Sequence, residues 1–360
     1  MVGVDNNNTT DFDLAIIGGG IIGACTAWYA RKQYPDWRIA VFDRSLAGSG
    51  ASHYAACLDF AYGHTPMRRE LTERSRALYA GLRNELHELP IKDIPLYGIT
   101  SIEMAADYLA GFTDQQARVQ PEAIPAMLQE QPGLKLPDGA TIIVGTHASY
   151  ATRNDIAGNM ISRFAAMNET WVFESTKVNH ISSQGATFRI ETATQQAYWS
   201  HRIIQATGPW INERIAVGTA PPAEMRIKKV IAFHIYVQPS ANDPVYYFFN
   251  DDAFLMPRYE DGYWLFSFKC NEWDVAPNAS ELVIGNKDHA DAMRILEKYF
   301  PDFVPRCRGG RVFCDAYTPD GNPVIRPLAD MPGYILAGAG SGSGYRLAPG
   351  IAAQALQLLK

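Results

Sequence analysis

The chain lacks any long apolar run: no stretch approaches the roughly 20 residues that a bilayer-crossing helix needs. Charge of one sign is also scarce, since 32 basic residues face 38 acidic ones and leave a net −6. Nucleic acid is therefore excluded as the main partner, because phosphate binding needs concentrated positive charge. Cysteine is thin, and Cys25, Cys57, Cys270, Cys307 and Cys314 form neither a CxxC nor a regular pair lattice. Such a scattered, odd set reads as reduced thiols in a cytoplasmic protein, and no metal site is expected. Met1 to Thr10 lacks the basic and apolar segments of a secretion signal and reads as a flexible tail. What remains is 47% apolar and 19% charged over 360 residues. That is enough for a large core, arranged as two domains or one large α/β unit. Glycine is the other resource, with 29 residues clustered near both ends.

The opening reads strand (Asp13–Ile17), glycine turn, helix (Ile21 to Tyr34), strand (Arg38–Phe42), which is a βαβ unit. Pro66 to Leu89 reads as a helix with Leu71, Leu78, Leu82 and Leu86 on one stripe. Its charges (Arg68, Arg69, Glu70, Glu73, Arg74, Arg76) read as a solvated face. Val230–Val237, Val245–Phe249, Phe254–Arg258 and Tyr263–Lys269 are β-rich and joined by short turns. They predict an antiparallel sheet and hence a second domain. A helix at His289–Phe300 follows, then strand Gly333–Ala337, a glycine turn and helix Leu347–Leu359.

Gly18, Gly20 and Gly23 form G-x-G-x-x-G directly between strand and helix. This spacing gives a tight turn, close backbone approach to a pyrophosphate and close helix–strand packing. The helix N-terminus adds N–H donors and a partial positive charge. Asp43 ends the second strand 20 residues after Gly23, where a carboxylate binds ribose hydroxyls and repels a 2′-phosphate. NADP is thereby disfavoured, while NAD and FAD both fit. Two later features favour the longer FAD: Ile203–Gly208, a strand running into a glycine turn before Pro209-Trp210, and the turn Gly338 to Gly344. A glycine-rich helix start can stabilise negative charge on the reduced flavin ring.

Together these segments resemble the D-amino-acid oxidase family of flavoproteins, in its glycine oxidase and sarcosine oxidase branch. The resemblance runs from Asp11 to about Leu359 and is loosest between residues 95 and 140. It rests on Asp13-Leu-Ala-Ile-Ile-Gly-Gly-Gly-Ile-Ile-Gly with Asp43 and Arg44, on the small-residue segment Ser49 to Leu58, and on Thr176-Lys-Val178. It also rests on Ala206-Thr-Gly-Pro-Trp210, Met256-Pro-Arg-Tyr-Glu-Asp-Gly262, Thr318-Pro-Asp-Gly-Asn-Pro323 and Gly342-Ser-Gly-Tyr-Arg346. The resemblance implies an α/β fold: a Rossmann-type FAD-binding domain with an inserted antiparallel-sheet substrate domain of α+β character. The FAD domain would comprise 11–90, 141–222 and 306–360, and the substrate domain 91–140 and 223–305. The activity implied is oxidation of a C–N bond of an amino acid or N-substituted amine by hydride transfer to flavin N5. The imine then hydrolyses, and oxygen or another acceptor takes the electrons. Cofactor contacts are expected from Gly18, Gly20, Ile22, Gly23, Asp43, Arg44, Ser49, Ser52, His53, Val178, Thr207, Gly208, Trp210, Gly338, Gly340, Gly342, Gly344, Tyr345 and Arg346.

By the same resemblance Arg346 takes the substrate carboxylate. Lys269 promotes oxygen reduction, and His53 stands near the flavin. A phenol from Tyr246, Tyr247 or Tyr259 reaches the substrate, with at most one of Tyr246 and Tyr247 facing inward. FAD is expected to be noncovalent, with a link at Cys314 as the alternative. The glycine oxidase Gly-Leu-Arg-Pro segment is replaced by Ala316-Tyr317-Thr318, and the sarcosine oxidase arginines by Cys57-Leu58-Asp59-Phe60. A substrate larger than glycine or sarcosine, or one with a cationic group near Asp59, is therefore expected. Two other functions stay open: an NAD-dependent dehydrogenase, and a noncatalytic or electron-relay flavoprotein subunit.

Overall fold

A computed structural model describes residues 11–87, 89–217, 225–277 and 282–359. The expected tail at 1–10 and the domain joint at 222/223 lie outside them. A six-stranded sheet is built in the order Val324–Pro327, Tyr334–Gly338, Ile203–Gln205, Leu14–Ile17, Ile39–Phe42, Thr170–Phe173. All neighbours are parallel except Val324–Pro327. The strand Leu14–Ile17 is buried on both faces, as a covered parallel strand must be. Leu14 and Ile16 face a helical layer containing Ile21–Gln33, Ile156–Ala165 and Gly344–Gln357. Ala15 and Ile17 face an apolar layer with the small antiparallel sheet Val178–Gln184, Thr187–Thr192, Ala197–Ser200. Ala24, Ala27 and Ala30, all fully buried, let helix Ile21–Gln33 approach its neighbours closely.

The second large sheet has eight strands, in the order Cys307–Tyr317, Arg226–Ile235, Tyr263–Phe268, Ala253–Arg258, Val245–Phe248, Leu96–Ser101, Ala140–Val144, Arg118–Val119. Its pairs are antiparallel apart from Val245–Phe248 with Leu96–Ser101. One face carries Phe233, Trp264, Phe266, Leu255 and Tyr246 and is covered by helix Asn286–Tyr299. On the other face Asp315 stands opposite Lys228 and Phe313 opposite Val230. Ser267 and Phe254 are paired across from each other, as are Phe254 and Tyr247. The cut expected at 306 assigned Cys307–Tyr317 to the nucleotide part, whereas that strand pairs along Arg226–Ile235 of this sheet. The cut at 141 likewise falls inside Ala140–Val144. Strand pairing over long sequence separations sets both memberships, and local pattern does not report it.

The Pro66 helix ends at Glu85 rather than Leu89, and Thr65 caps it by accepting the Arg68 N–H. Arg68 does not belong to a solvated face: it is 4% exposed and reaches across to the C-terminal glycine turn. Arg258, in the Pro-Arg segment, fastens its hairpin to a neighbouring strand by donating to Ala151 O and Thr152 O.

Candidate active site

A cavity of about 640 Å³ lies between the glycine turns and the inner face of the eight-stranded sheet, and a second of about 150 Å³ lies beside the first βαβ unit. Gly20, Ala51, Ser52, Ala206 and Gly208 line both, so the two adjoin. The smaller cavity is flanked by Gly18, Asp43, Arg44, Ser49, Val178, Thr207 and Trp210. Helix Ile21–Gln33 begins here without a side-chain N-cap on Gly20; Ser52 Oγ accepts the Ile21 N–H at 2.9 Å. Gly23 is required by packing, since a Cβ there would stand 1.8 Å from Gly18 O. It supports the turn without lining the cavity. Asp43 accepts N–H groups from Gly19 (2.7 Å) and Ser45 (2.8 Å). Burial pushes its carboxyl above the usual range, against those two donors. Arg44 stacks over Trp210 at 4.8 Å and is held bidentately by Glu213. Glu213 was invisible in the sequence pattern because its partner lies 169 residues away.

The larger cavity is lined by the turn Gly340 to Arg346 on one side. Ala339 and Ser341, which are not glycines, hold φ of 52° and 49° in this turn. Gly342 has φ 78°, and a Cβ on it would stand 2.8 Å from the Tyr317 hydroxyl. Arg346 is buried at 8% exposure. It donates to Ser343 Oγ (2.6 Å) and Phe60 O (3.4 Å), and its guanidinium lies over the Phe60 ring at 4.4 Å. Its Nε is buried without a partner, and so is that of Arg68. Arg68 donates to the same Ser343 Oγ and to Gly321 O. Burial lowers the affinity of both guanidiniums for their protons, and the Arg346 charge pushes Arg68 down further, to about 10. Nearby, burial raises the Asp315 carboxyl to about 6 although it accepts the Ala316 and Gly342 N–H groups.

The opposite wall carries Tyr62, Tyr108, Tyr247, Phe249 and Phe254, while Tyr317 borders the glycine turn itself. Tyr247 faces the cavity and donates to Asp252 Oδ1 at 3.3 Å. Tyr246 is fully buried in the outer core, and Tyr259 is 46% exposed and outside the lining. Lys269 lines the cavity from an exposed position, and Lys228, which the sequence reading passed over, lines it from a buried one.

Three expectations are corrected, concerning His53, Gly338 and Asp59, and the Cys314 alternative is located. His53 is exposed on the one-turn helix Ala51–Tyr54 and lines neither cavity, because that turn points Ser52 and Tyr54 inward; His64 is the cavity histidine. Gly338 also lies off the lining, packed against Ile211. Cys314 is 3% exposed in the apolar layer, on the strand face opposite Phe313 and Asp315, so its thiol is not placed to carry a flavin. Asp59 is buried against Arg76 (3.1 Å) and is not part of the cavity wall, so it cannot meet a substrate cation. Among the described residues, Cys270, Glu272 and Asp288 come close enough to hold a metal. The Lys229 ammonium occupies that position, donating to Glu272 (2.9 Å) and Asp288 (2.8 Å).

The model of the DAO family, FAD dependent oxidoreductase, matches residues 13–358. The chain belongs to that family. Its cofactor is FAD, and the residues present fit it: the Gly18–Gly23 cradle admits no side chain at Gly23, and the start of helix Ile21–Gln33, without a side-chain N-cap on Gly20, borders both cavities. A glycine oxidase from Geobacillus kaustophilus (strain HTA426) is 36% identical over 100 residues, which span 27% of this chain and 26% of that protein. The crystal structure of glycine oxidase from Geobacillus kaustophilus superposes with a TM-score of 0.80 at 19% identity, covering 98% of this chain and 95% of that one. L-proline dehydrogenase from P. horikoshii gives 0.79 at 17% identity, covering 98% and 94%. An L-alpha-glycerophosphate oxidase from Mycoplasma pneumoniae with FAD bound gives 0.78 at 17%, covering 97% and 94%. Likenesses at these identities establish the fold shared by DAO-family enzymes. No helix among the described residues is long and apolar enough to cross a membrane.

Proposed function

We propose that this DAO-family enzyme oxidises the C–N bond of an amino acid or N-substituted amino acid. The bound FAD would accept a hydride at flavin N5 and pass the electrons to oxygen or another acceptor. The observation that carries the reading is Arg346: a buried guanidinium with an unpartnered Nε, set beside an apolar, aromatic cavity. A carboxylate is the planar anion that such a fork accepts bidentately. Arg68 braces the same turn through Ser343 and adds positive potential. The Tyr247 phenol, held by Asp252, orients the substrate from the opposite wall. Aromatic walls exclude water, which keeps the amine neutral and its lone pair available as the C–H bond breaks. Lys269, an exposed cation that lines the cavity, would stabilise negative charge on reduced oxygen in this reading. In this reading Val178, Arg44 and Trp210 hold the adenosine end, and the turn Gly340 to Arg346 the flavin end. The eight-stranded sheet forms the substrate-binding part, FAD is noncovalent, and the free, buried thiols accord with a reducing, cytoplasmic compartment.

Product analysis tests the reaction class. Turnover should release, per electron pair, one 2-oxo acid with one ammonia or amine where Cα is oxidised, or one aldehyde with the parent amino acid where the N-substituent is oxidised. Oxidation at a hydroxyl carbon, with no amine released, would overturn the reading.

A further inference from the structure

Lys228 and Lys229 are neighbours on one strand with opposite environments. Both residues line the larger cavity, but the Lys229 ammonium is engaged by Glu272 and Asp288. Lys228 is equally buried, at 6% exposure, yet no ion pair among the described residues includes it. An ammonium taken out of water without an anion is unfavourable. Among the described residues two rings offset that cost at close range, Trp273 at 5.3 Å and Tyr317 at 4.9 Å from Nζ. Asp315, opposite Lys228 in the sheet, accepts the Ala316 and Gly342 N–H groups and forms no ion pair with it. Asp252 attracts Lys228 from beyond ion-pair distance and Lys269 repels it. Asp252 is itself engaged by the Tyr247 hydroxyl.

Tyr317 relates this cation to the guanidiniums. Its ring lies beside Lys228, and its hydroxyl abuts Gly342, next to the Ser343 that takes both Arg68 and Arg346. Lys228 and Arg346 thus line one cavity with Tyr317 between them, an arrangement that suits a ligand with an anion at each end. We propose that Lys228 receives a second carboxylate, and that the substrate is an amino acid or N-substituted amino acid carrying two. This rests on the reading that Arg346 holds the first carboxylate.

The test titrates the FAD-loaded enzyme with acetate, succinate and glutarate, reading the shift of the flavin absorbance. A dicarboxylate should bind at least ~10-fold more tightly than acetate, the increment of one charge-assisted hydrogen bond. Lys228→Met should abolish that advantage, and Lys228→Arg should keep most of it. Equal affinity for all three acids in the native enzyme would overturn the proposal while leaving Arg346 as carboxylate anchor. A Lys228→Met enzyme that keeps the dicarboxylate preference but reoxidises slowly in air would overturn it too, assigning Lys228 to oxygen. If no acid perturbs the flavin, the anchor itself fails, and the proposal with it. The native ligand series decides the matter even if the Met variant does not fold.

Discussion

Replacing Arg346 by Met separates a carboxylate anchor from a structural arginine. The side chain has five N–H donors, of which two are engaged: with Ser343 Oγ at 2.6 Å and with Phe60 O at 3.4 Å. The second of these is long, and Nε has no partner at all. A bound carboxylate would use the free edge in two charge-assisted bonds, each worth about 1.5–3 kcal/mol. Losing both costs about 3 kcal/mol or more, a loss of at least about 10²-fold in carboxylate affinity. Fold stability should change little, because Arg68 lies close enough to repel Arg346 and removing one buried charge relieves that repulsion. The expected fall in melting temperature is no more than about 3 °C. Arg346→Lys should be intermediate, since an ammonium lacks the planar fork. Affinity is read from the flavin absorbance shift with acetate, and stability from thermal unfolding of the same FAD-loaded samples. A melting point lowered by about 10 °C with acetate affinity unchanged would refute the assignment and leave Arg346 as a brace for the turn.

Gly23→Ala should prevent FAD retention, because the added Cβ would stand 1.8 Å from Gly18 O and the cradle must open; a purified variant with a full complement of flavin would contradict this. Acid precipitation should leave colourless protein and a yellow supernatant, since Cys314 faces an apolar layer away from the cavity; colour retained in the pellet would show a covalent link. Asp315 holds its proton more tightly in the folded chain, at about 6 against 3.8. Native stability relative to Asp315→Asn should therefore fall as pH rises from about 4 to 6, by at most about 3 kcal/mol. A difference in melting temperature that stays flat across that window would show that the carboxyl is not perturbed.

The nucleotide end was legible because glycine spacing, an apolar strand and a terminal acid each report locally on one βαβ unit. The inner face of the larger sheet was partly legible: alternation sends Ser267 and Lys269 one way and Trp264 and Phe266 the other. Alternation also bears on the Cys314 alternative, since a shift of one residue on a strand exchanges the cavity face for the core face, and Cys314 lies on the core face. Arg68 was misread because a mixed-charge helix looks solvated on its own. Its burial depends on Ser343, 275 residues away. Lys228 was missed for the same reason, as Arg226-Ile-Lys-Lys reads as a polar strand end until Trp273 and Tyr317 close over it. His53 shows the limit of motif transfer: the segment is retained, and one turn of helix points its neighbours inward and the histidine out.

The most direct test of amine oxidation by this enzyme is anaerobic absorbance of the FAD-loaded protein during titration with amino acids and N-substituted amino acids. At least one carboxylate-bearing amine should bleach the flavin stoichiometrically, and the same compound lacking its carboxylate should not. A flavin that stays oxidised with every amine, or that bleaches equally well without the carboxylate, would contradict the account.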